Sequence, residues 1–600
     1  MARDSEVHAY IYIKDSLRDL DWNVANPTRI ADGELYTQHE CLSNPTLKAC
    51  LGRDVPENVV VVGPNKFMVV EAKPKRSELL TAIKEAKEYA ETLNQGKILA
   101  PIAVAVAGNP QDTFLVKTFY FFRGTWQEVL INGKATSGFL NRDEARRLVA
   151  EDTYKISDIH ISDDVLYAKA TNINEHLHNG SINKNNRARV MAALLLAMSE
   201  DTPIHLDNDA DALIAEINAK VKTVLRVHGK EKFARCVEIN TPPTPGNHAK
   251  FRKALLDTHQ ELEGINIRSA MNSGEDILGR FYEQFLKYGN GAKEIGIVLT
   301  PRHLTRFGAE ALRVTEKDRV FDPACGTGGF LVSAYDVVRK RVKEAALDKF
   351  KKTGIYGIEQ EAEVVALSLV NMIFRGDGKT NIEEGNCFSD RFFKTTTMTK
   401  ALMNPPFALK KEDEKEYRFV DYGLKKLEGG GLLFAVIPSP IMFREKNYKE
   451  WRQTLLAKHT LKAVIKMPED LFYPAAAIHT SIIVIEAHIP HPKDAKVLWG
   501  VCHDAFVKRK GVMKRSKTAE TNMEELKQKI QAVLDDRAFP SHPREWILRP
   551  IRFDRHLECA PEQYLEDTTP DKKELHGGMR DALLNALSGQ FSRATILAPS

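Results

Sequence analysis

Several things are scarce in this 600-residue chain, and each scarcity excludes something. It has seven cysteines, an odd number without CxxC spacing, which points to a reducing compartment and argues against a zinc site. Long apolar runs are missing: the strongest helical candidate, Val190 to Met198, falls far below the ~20 residues needed to span a bilayer. Arg3, Asp4 and Glu6 place charge at the start of the chain, so no secretory leader is expected. A cytoplasmic location with no membrane attachment follows. Net charge is also small, 86 Lys and Arg against 81 Asp and Glu, or +5. Contact with a polyanion must therefore come from local patches rather than a global field. No internal repeat or low-complexity tract occurs.

What is present suits an ordinary folded chain, with 43% hydrophobic and 28% charged residues. The length exceeds what one core can hold, so three or four domains are expected. The texture divides the chain accordingly. Residues 1–165 mix one helix with short β-rich runs. Residues 166–290 show helical periodicity, broken at Thr241-Pro242-Pro243-Thr244-Pro245-Gly246. Residues 291–500 alternate apolar strands with helices, the pattern of a doubly wound α/β domain. Residues 501–600 carry a basic stretch from Lys508 to Lys517, then a helical stripe of Met523, Leu526, Ile530, Val533 and Leu534. A second apolar stripe, Leu575, Met579, Leu583, Leu584 and Leu587, suits a helix packed on its own domain or donated to a partner. The fold class is α/β and multidomain, with a helical middle and a helical C-terminal tail.

Two motifs in 291–500 carry chemistry. Arg319-Val320-Phe321 ends an apolar strand, and Asp322-Pro323-Ala324-Cys325-Gly326-Thr327-Gly328-Gly329 turns into a helix beginning at Phe330. Glycines there let a ligand lie against the backbone, outside the carboxyl end of the strand. The chain has neither GxxxxGK[ST] nor GxGxxG, and Asp322 would repel a phosphate while suiting the cationic methionine part of S-adenosylmethionine. A second strand, Ile355 to Glu359, ends in a carboxylate placed to grip a ribose diol. Leu299-Thr300-Pro301 lies upstream, where it could close over the cofactor. About eighty residues after the glycine turn comes Asn404-Pro405-Pro406-Phe407. The Asn404 side-chain carbonyl and the Pro405 backbone carbonyl can accept both N–H bonds of an exocyclic amine, which aims its lone pair at a sulfonium methyl. Positioning then carries most of the rate. The prolines stiffen the wall, and Phe407 offers a stacking face, worth roughly 1–3 kcal/mol, to a base turned out of the duplex.

The N-terminal segment holds a second chemical signal. The spacing predicts a hairpin: a strand led by Pro56-Glu57 and Val59 to Val62, a turn at Gly63-Pro64-Asn65, and a return strand ending Glu71-Ala72-Lys73. Alternation puts Glu71 and Lys73 on one face. Glu57, with Asp54 as an alternative, would share a divalent ion with Glu71, and Lys73 would orient or help deprotonate the attacking water. A helix over Lys84 to Ala90 follows, carrying Glu85 and Tyr89, and Glu6 is a further candidate acid.

Read together, Thr300-Pro301, DPACGTGGF, the acidic strand end and NPPF resemble the N6-adenine DNA methyltransferases of the gamma arrangement. More narrowly, the chain is similar to the modification subunits of type I restriction systems over roughly residues 170–560. Asp276 to Glu283, Gly429 to Pro438, and Leu471-Phe472-Tyr473 before the strand at Thr480 support this. The resemblance implies that Thr300, Pro301, Asp322, Ala324, Gly326, Thr327, Gly328 and Glu359 surround S-adenosylmethionine. It implies that Asn404, Pro405, Pro406 and Phe407 surround the target adenine. Asn386 stands where the family usually has an aspartate beside the cofactor's adenine ring. The N-terminal hairpin resembles the PD-(D/E)xK nuclease core, which would hold Mg²⁺ on Glu57 and Glu71. Glu57 replaces the usual Asp there, and Glu85 the usual Gln. With only about a hundred residues beyond the catalytic core, sequence reading of double-stranded DNA is expected from a separate specificity subunit in a hetero-oligomer. The basic run at Lys508 to Lys517 would be a solvated or DNA-backbone face. The expected function is thus a restriction-modification catalytic subunit. The alternatives are a modification-only subunit with an inert N-terminal fold, and a DNA-binding scaffold licensed by S-adenosylmethionine.

Overall fold

The computed structural model describes residues 2–96, 98–157, 161–200, 202–242, 244–271, 281, 285, 299–373, 375, 381–389, 391–407, 415–472, 478–503, 506–509, 512–515 and 521–566. The chain forms two compact units. The first comprises Met1–Ala309, Val314–Thr397 and Pro474–Ala476, the second Glu310–Arg313, Met398–Tyr473 and Ala477–Ser600.

The first unit begins with a helix, Ala2–Asp19, and a six-stranded sheet. Its strands β1 (Leu35–Thr37), β2 (Asn58–Gly63), β3 (Lys66–Lys73), β4 (Leu99–Asn109), β5 (Thr113–Phe122) and β6 (Thr125–Glu128) lie in chain order. β2 and β3 are the expected antiparallel hairpin, with Asn65 at φ +55° in its turn. Glu57 lies one residue before β2 rather than within it. β3 and β4 pair in parallel, and the helix Leu79–Gln95 makes the crossover. Its Ala82, Ala86 and Ala90 recur every four residues and are buried in one stripe; methyl-sized side chains let the helix approach the sheet closely. β4 is buried from Ile102 to Ala107 on both faces, as its near-continuous apolar run requires. Short strands β7 (Leu130–Ile131), β8 (Lys134–Ala135) and β9 (Lys155–Ile156) form a separate patch.

Helices Asp163–Asn179, Lys184–Ser199, Ala210–Val227 and His248–Gly264 follow. Ser162 and Asp209 cap two of them, accepting from the amides of Val165 and Ala212. Val190 to Met198 is buried throughout, so the most apolar helix is a core element. Among the described residues no helix is long and apolar enough to cross a membrane. The unit then supplies three parallel strands, β10 (Val320–Asp322), β11 (Ile355–Glu359) and β12 (Asn381–Glu384). Helices Gly329–Arg339 and Ala362–Ile373 follow the first two.

The second unit contains β13 (Met398–Met403), β14 (Leu427–Pro438), β15 (Thr460–Lys466), β16 (Thr480–Glu486), β17 (Lys496–Val501), a hairpin of β18 (Phe506–Arg509) and β19 (Val512–Arg515), and β20 (Trp546–Pro550). Within it the order is β13-β14-β16-β15-β17-β20. β13 with β14 and β15 with β17 are parallel, while β16 runs antiparallel to both of its neighbours. The periodicity at 523–534 is a helix, Met523–Leu534, with Leu526, Ile530 and Val533 buried. The basic stretch folds in part as the β18–β19 hairpin. The stripe at 574–587 lies outside the described residues, as does most of Asp276 to Glu283.

One buried charge ties the first helix to the helical segment. Lys169 Nζ lies 2.7 Å from Asp19 Oδ2 and 2.7 Å from Glu261 Oε2. Burial pushes the Glu261 carboxyl up, but the hydrogen bond from His176 and the Lys169 ammonium outweigh it and hold the group at about 2. A depressed carboxyl gives stability that is present above its ordinary value of 4.5 and lost as pH falls towards 2. Lys169→Met should therefore lower stability by about 3 kcal/mol at pH 7, the low end for a broken buried pair because Asp19 keeps some solvent. The deficit should shrink as pH falls below 4. A denaturant titration at pH 7 and pH 3 checks this; equal losses at both would remove Glu261 from the account.

Candidate functional site

The glycine turn forms because β10 and β11 run side by side with Asp322 opposite Gly357. Both strands therefore deliver their carboxyl ends to the same edge. Gly326 and Gly328 take φ of +54° and +84°, the left-handed region that side chains disfavour. A Cβ on Gly328 would also stand 2.6 Å from Ser368 Oγ. The turn is stitched by Cys325 N–H to Ile358 O at 3.0 Å and Gly328 N–H to Cys325 O at 2.8 Å. Asn371 Nδ2 donates to Thr327 O at 3.0 Å.

Glu359 organises this edge. Its Oε2 accepts from the amide of Gly326 at 3.0 Å, and its Oε1 from the amides of Gln360 and Glu361 at 2.7 and 3.0 Å. Asp322 is buried to 2% exposure, and its Oδ1 accepts from the Ala324 amide at 3.1 Å. Burial, with the neighbouring Glu359 charge adding to it, pushes Asp322 up to about 8. Burial raises Glu359 as well, against its three amide bonds. A buried carboxyl raised in part by a half-buried neighbouring carboxylate forms a cradle suited to a cation.

Thr300 and Pro301 lead into the helix Arg302–Ala311. That helix packs beside the turn, since Thr305 Oγ1 meets Ser333 Oγ at 2.7 Å. Asn386 sits just past β12, where the Gly385 amide donates to Glu359 O at 2.8 Å. Its own Oδ1 accepts from the Phe388 amide at 2.9 Å, so that oxygen caps the short turn Cys387–Ser389. The structure thus brings Asp322, Ala324, Gly326, Thr327, Gly328, Glu359 and Asn386 around one edge, while Thr300 and Pro301 stand at the start of a helix whose Thr305 meets Ser333 on the helix after the turn. Ser368 and Asn371 were not foreseen; they lie three apart on the helix after β11, on one face, a spacing visible in the sequence. Cys387 was also missed. Burial, with the charges of Asp322 and Glu359, lifts its thiol to about 12.

In the second unit, Asn404 to Phe407 follow the last residue of β13. Pro405 is buried, Pro406 exposed, and Asn404 and Phe407 half-buried. The Phe407 ring meets Phe472 edge to face at 5.9 Å and 89°, which fixes the ring plane. Phe472 therefore serves the same corner as the tetrapeptide, a pairing the sequence did not foretell.

The third cluster lies at the end of β3. Glu71 is buried, and its Oε1 accepts from Lys73 Nζ at 3.0 Å. Its Oε2 accepts from the Glu57 amide at 3.3 Å. Lys73 also pairs with Glu85 Oε2 at 2.6 Å, so the Glu at that helix position holds the lysine directly. Burial pushes Glu71 up to about 7; the Lys73 bond opposes this, and the charges of Glu57 and Glu85 add to it. Burial would lower the Lys73 ammonium, but its bonds to Glu85 and Glu71 outweigh that and hold it above its ordinary value. A lysine so held orients or neutralises charge rather than taking a proton. Tyr89 lies in the field of Glu71, Glu85 and Asp54, although burial is the larger cause of its raised hydroxyl. Among the described residues no group of three or more His, Cys, Asp or Glu is placed to hold a metal.

Residues 273–543 match the model of the N-6 DNA Methylase family. The chain's curated relatives include the type II restriction enzyme and methyltransferase RM.BcgI of Heyndrickxia coagulans, 30% identical over 362 residues, 55% of each chain. The methylase subunit of the type I restriction enzyme EcoEI of Escherichia coli is 27% identical over 300 residues, 47% of this chain and 59% of that one. The chain thus spans little more than half the length of these relatives. Among solved structures, a chain from work on complex assembly and conformational transition of the type I R-M system superposes with a TM-score of 0.50 at 19% identity, covering 73% of this chain and 99% of that one. That likeness shows a shared fold, mixed α/β of the methyltransferase kind.

The raised carboxyls give a pH test. For Asp322, the ordinary value of 3.8 rises to about 8 in the fold. Its contribution to stability is then full below pH 3.8 and is lost as pH climbs through 8. Asp322→Asn should melt at the wild-type temperature near pH 4 and progressively above it towards pH 9. Scanning calorimetry across that range checks it; parallel pH profiles for the two proteins would contradict the buried-pair account.

Proposed function

We propose that this chain is the catalytic subunit of a restriction-modification system, methylating adenine N6 in DNA and cleaving unmodified DNA with its N-terminal segment, 1–165. The observation that carries the methyltransferase half is the cradle that the buried, raised Asp322 and the half-buried Glu359 form at the carboxyl ends of β10 and β11. It fits the cationic sulfonium and ammonium of S-adenosylmethionine, and the half-buried, left-handed Gly326 leaves backbone within reach beside it. When bound, that cofactor supplies an electrophilic methyl group. Asp322 would face its methionine part, Glu359 its ribose, and Thr300-Pro301 would cover it, with Ala324, Gly326, Thr327, Gly328 and Asn386 lining the rest. The Asn404 and Pro405 carbonyls would accept hydrogen bonds from both N–H groups of the adenine amine and aim the nitrogen lone pair. Pro406 stiffens the wall and Phe407, held edge-on by Phe472, stacks on the base. No strong base is needed, since the amine proton leaves after nitrogen has gained the methyl.

The nuclease half rests on Glu57, Glu71 and Lys73. Mg²⁺ is commonly held by one or two carboxylates with water and substrate phosphate completing its shell, and the raised Glu71 beside the charges of Glu57 and Glu85 is an environment that a divalent cation relieves. When bound, such an ion supplies an activated water. Lys73 would neutralise charge on the attacked phosphate, by orientation rather than as base. The name of the H. coagulans relative, a restriction enzyme and methyltransferase, supports the pairing. A modification-only reading draws on the Glu85–Lys73 ion pair, which occupies the lysine. The type I relatives, named as methylase subunits, support a separate specificity subunit that reads double-stranded DNA.

Two variants, assayed with that partner on unmethylated plasmid, separate the halves. Asn404→Ala should lower kcat for N6-methyladenine formation by about a hundredfold or more, as for loss of a group that aims the reacting atom, while S-adenosylmethionine affinity stays within about twofold. Near-wild-type methylation would remove Asn404 from its role. Lys73→Ala should lose Mg²⁺-dependent cleavage yet methylate normally in EDTA. Undiminished cutting by Lys73→Ala would dismiss this nuclease site; no cutting by the wild type would favour the modification-only reading.

A further inference from the structure

Outside these sites, the first unit encloses a cavity of about 470 Å³, within the range of small-molecule sites. One wall is β5 and the residues around β8, and the other comes from the helical segment. Four cations line it, Arg76, Lys117, Lys134 and Arg268, with two acids, Glu200 and Glu263. Lys117 pairs with Glu128 at 2.6 Å, Arg76 with Asp207 at 3.0 Å and Arg268 with Glu263 at 3.0 Å. The lining also holds the buried apolar side chains Phe114, Val116, Met198 and Ile204. A lining that mixes cations with apolar side chains suits an amphiphilic anion.

The polar lining is built and buried. Thr136 is fully buried and His259 only 8% exposed. Thr136 Oγ1, His259 Nε2, Glu263 Oε2 and Arg76 Nε are buried atoms without a hydrogen-bond partner in the protein. The nearest charged group to the imidazole is Glu263 Oε1, 3.6 Å from Nε2 and beyond hydrogen-bond range. Buried donors and acceptors are costly to leave unpaired. Four of them lining one cavity call for a polar occupant. Burial lowers the His259 imidazole, and the positive charges of Arg268 and Arg76 lower it further against the pull of Glu263.

We propose that this cavity binds a small organic anion, a phosphate or carboxylate on an apolar ring-sized body, with its acidic group on the side of His259 and Arg268. Because β5 and the helix His248–Gly264 supply opposite walls, the occupant ties the N-terminal sheet to the helical segment. Calorimetric titration of the full chain with 1-naphthyl phosphate, 1-naphthoate, 1-naphthol and inorganic phosphate tests it. At least one naphthyl anion should bind about tenfold or more tighter than both naphthol and inorganic phosphate, and the tighter anion names the acidic group. Arg268→Gln should weaken that binding about tenfold, and Ile204→Trp, which fills the apolar side, should abolish it. On wild-type protein, hydrogen exchange with the anion present should slow at residues 113–117 and 258–264. Absence of binding, meaning a cavity holding water alone, would overturn the proposal. So would naphthol binding as tightly as its phosphate, or protection falling at 322–329 instead.

Discussion

One carboxylate, that of Glu359, accepts three backbone amides and in doing so holds together a strand end, a glycine turn and the start of a helix. Without it, the Gly326 amide would need another partner, and the turn would be left with the Cys325 N–H to Ile358 O bond as its tie to β11. The cost is a charge taken out of water next to Asp322. Buried like charges are tolerated where a cation completes them, so the same bonds that make the turn also make it receptive. Stability and receptivity oppose one another here, as at sites whose strain serves function.

The hairpin at β2 and β3 follows the same logic with a different resolution. Glu71 is buried and raised, but its neighbour is a built-in ammonium, Lys73, shared with Glu85. A protein-borne cation relieves the carboxylate within the fold, whereas the Asp322–Glu359 pair has only amides. On the reading proposed above, a metal at the first site would share Glu71 with that ion pair, and the second pair would be completed by the cofactor's own cation. Glutamate in place of glutamine at position 85 decides how Lys73 is shared, because only a carboxylate binds lysine as an ion.

The cavity between β5 and the helix His248–Gly264 extends the pattern beyond the motifs. Its polar groups come from residues far apart in the chain, Arg76, Thr136, His259 and Arg268, none of which forms a local signature. Charge arithmetic over the whole chain, +5, could not reveal a local excess of this kind.

Local spacing determined a good deal by itself. The β2–β3 hairpin, the strand ends at Asp322 and Glu359, the tetrapeptide after β13 and the helix Met523–Leu534 were all legible, because period-two and period-3.6 patterns and glycine turns act over a few residues. The likeness of 273–543 to the N-6 DNA Methylase family was legible for the same reason, its motifs being contiguous. Tertiary structure alone decided the antiparallel place of β16, since strand order depends on contacts between distant segments and not on the apolar run itself. It also decided the grip of Glu85 on Lys73, the bracing of the turn by Ser368 and Asn371, and the local use of the Asn386 oxygen as a cap. Hydrogen bonds and buried charges need two partners, and a sequence names each without saying which will meet.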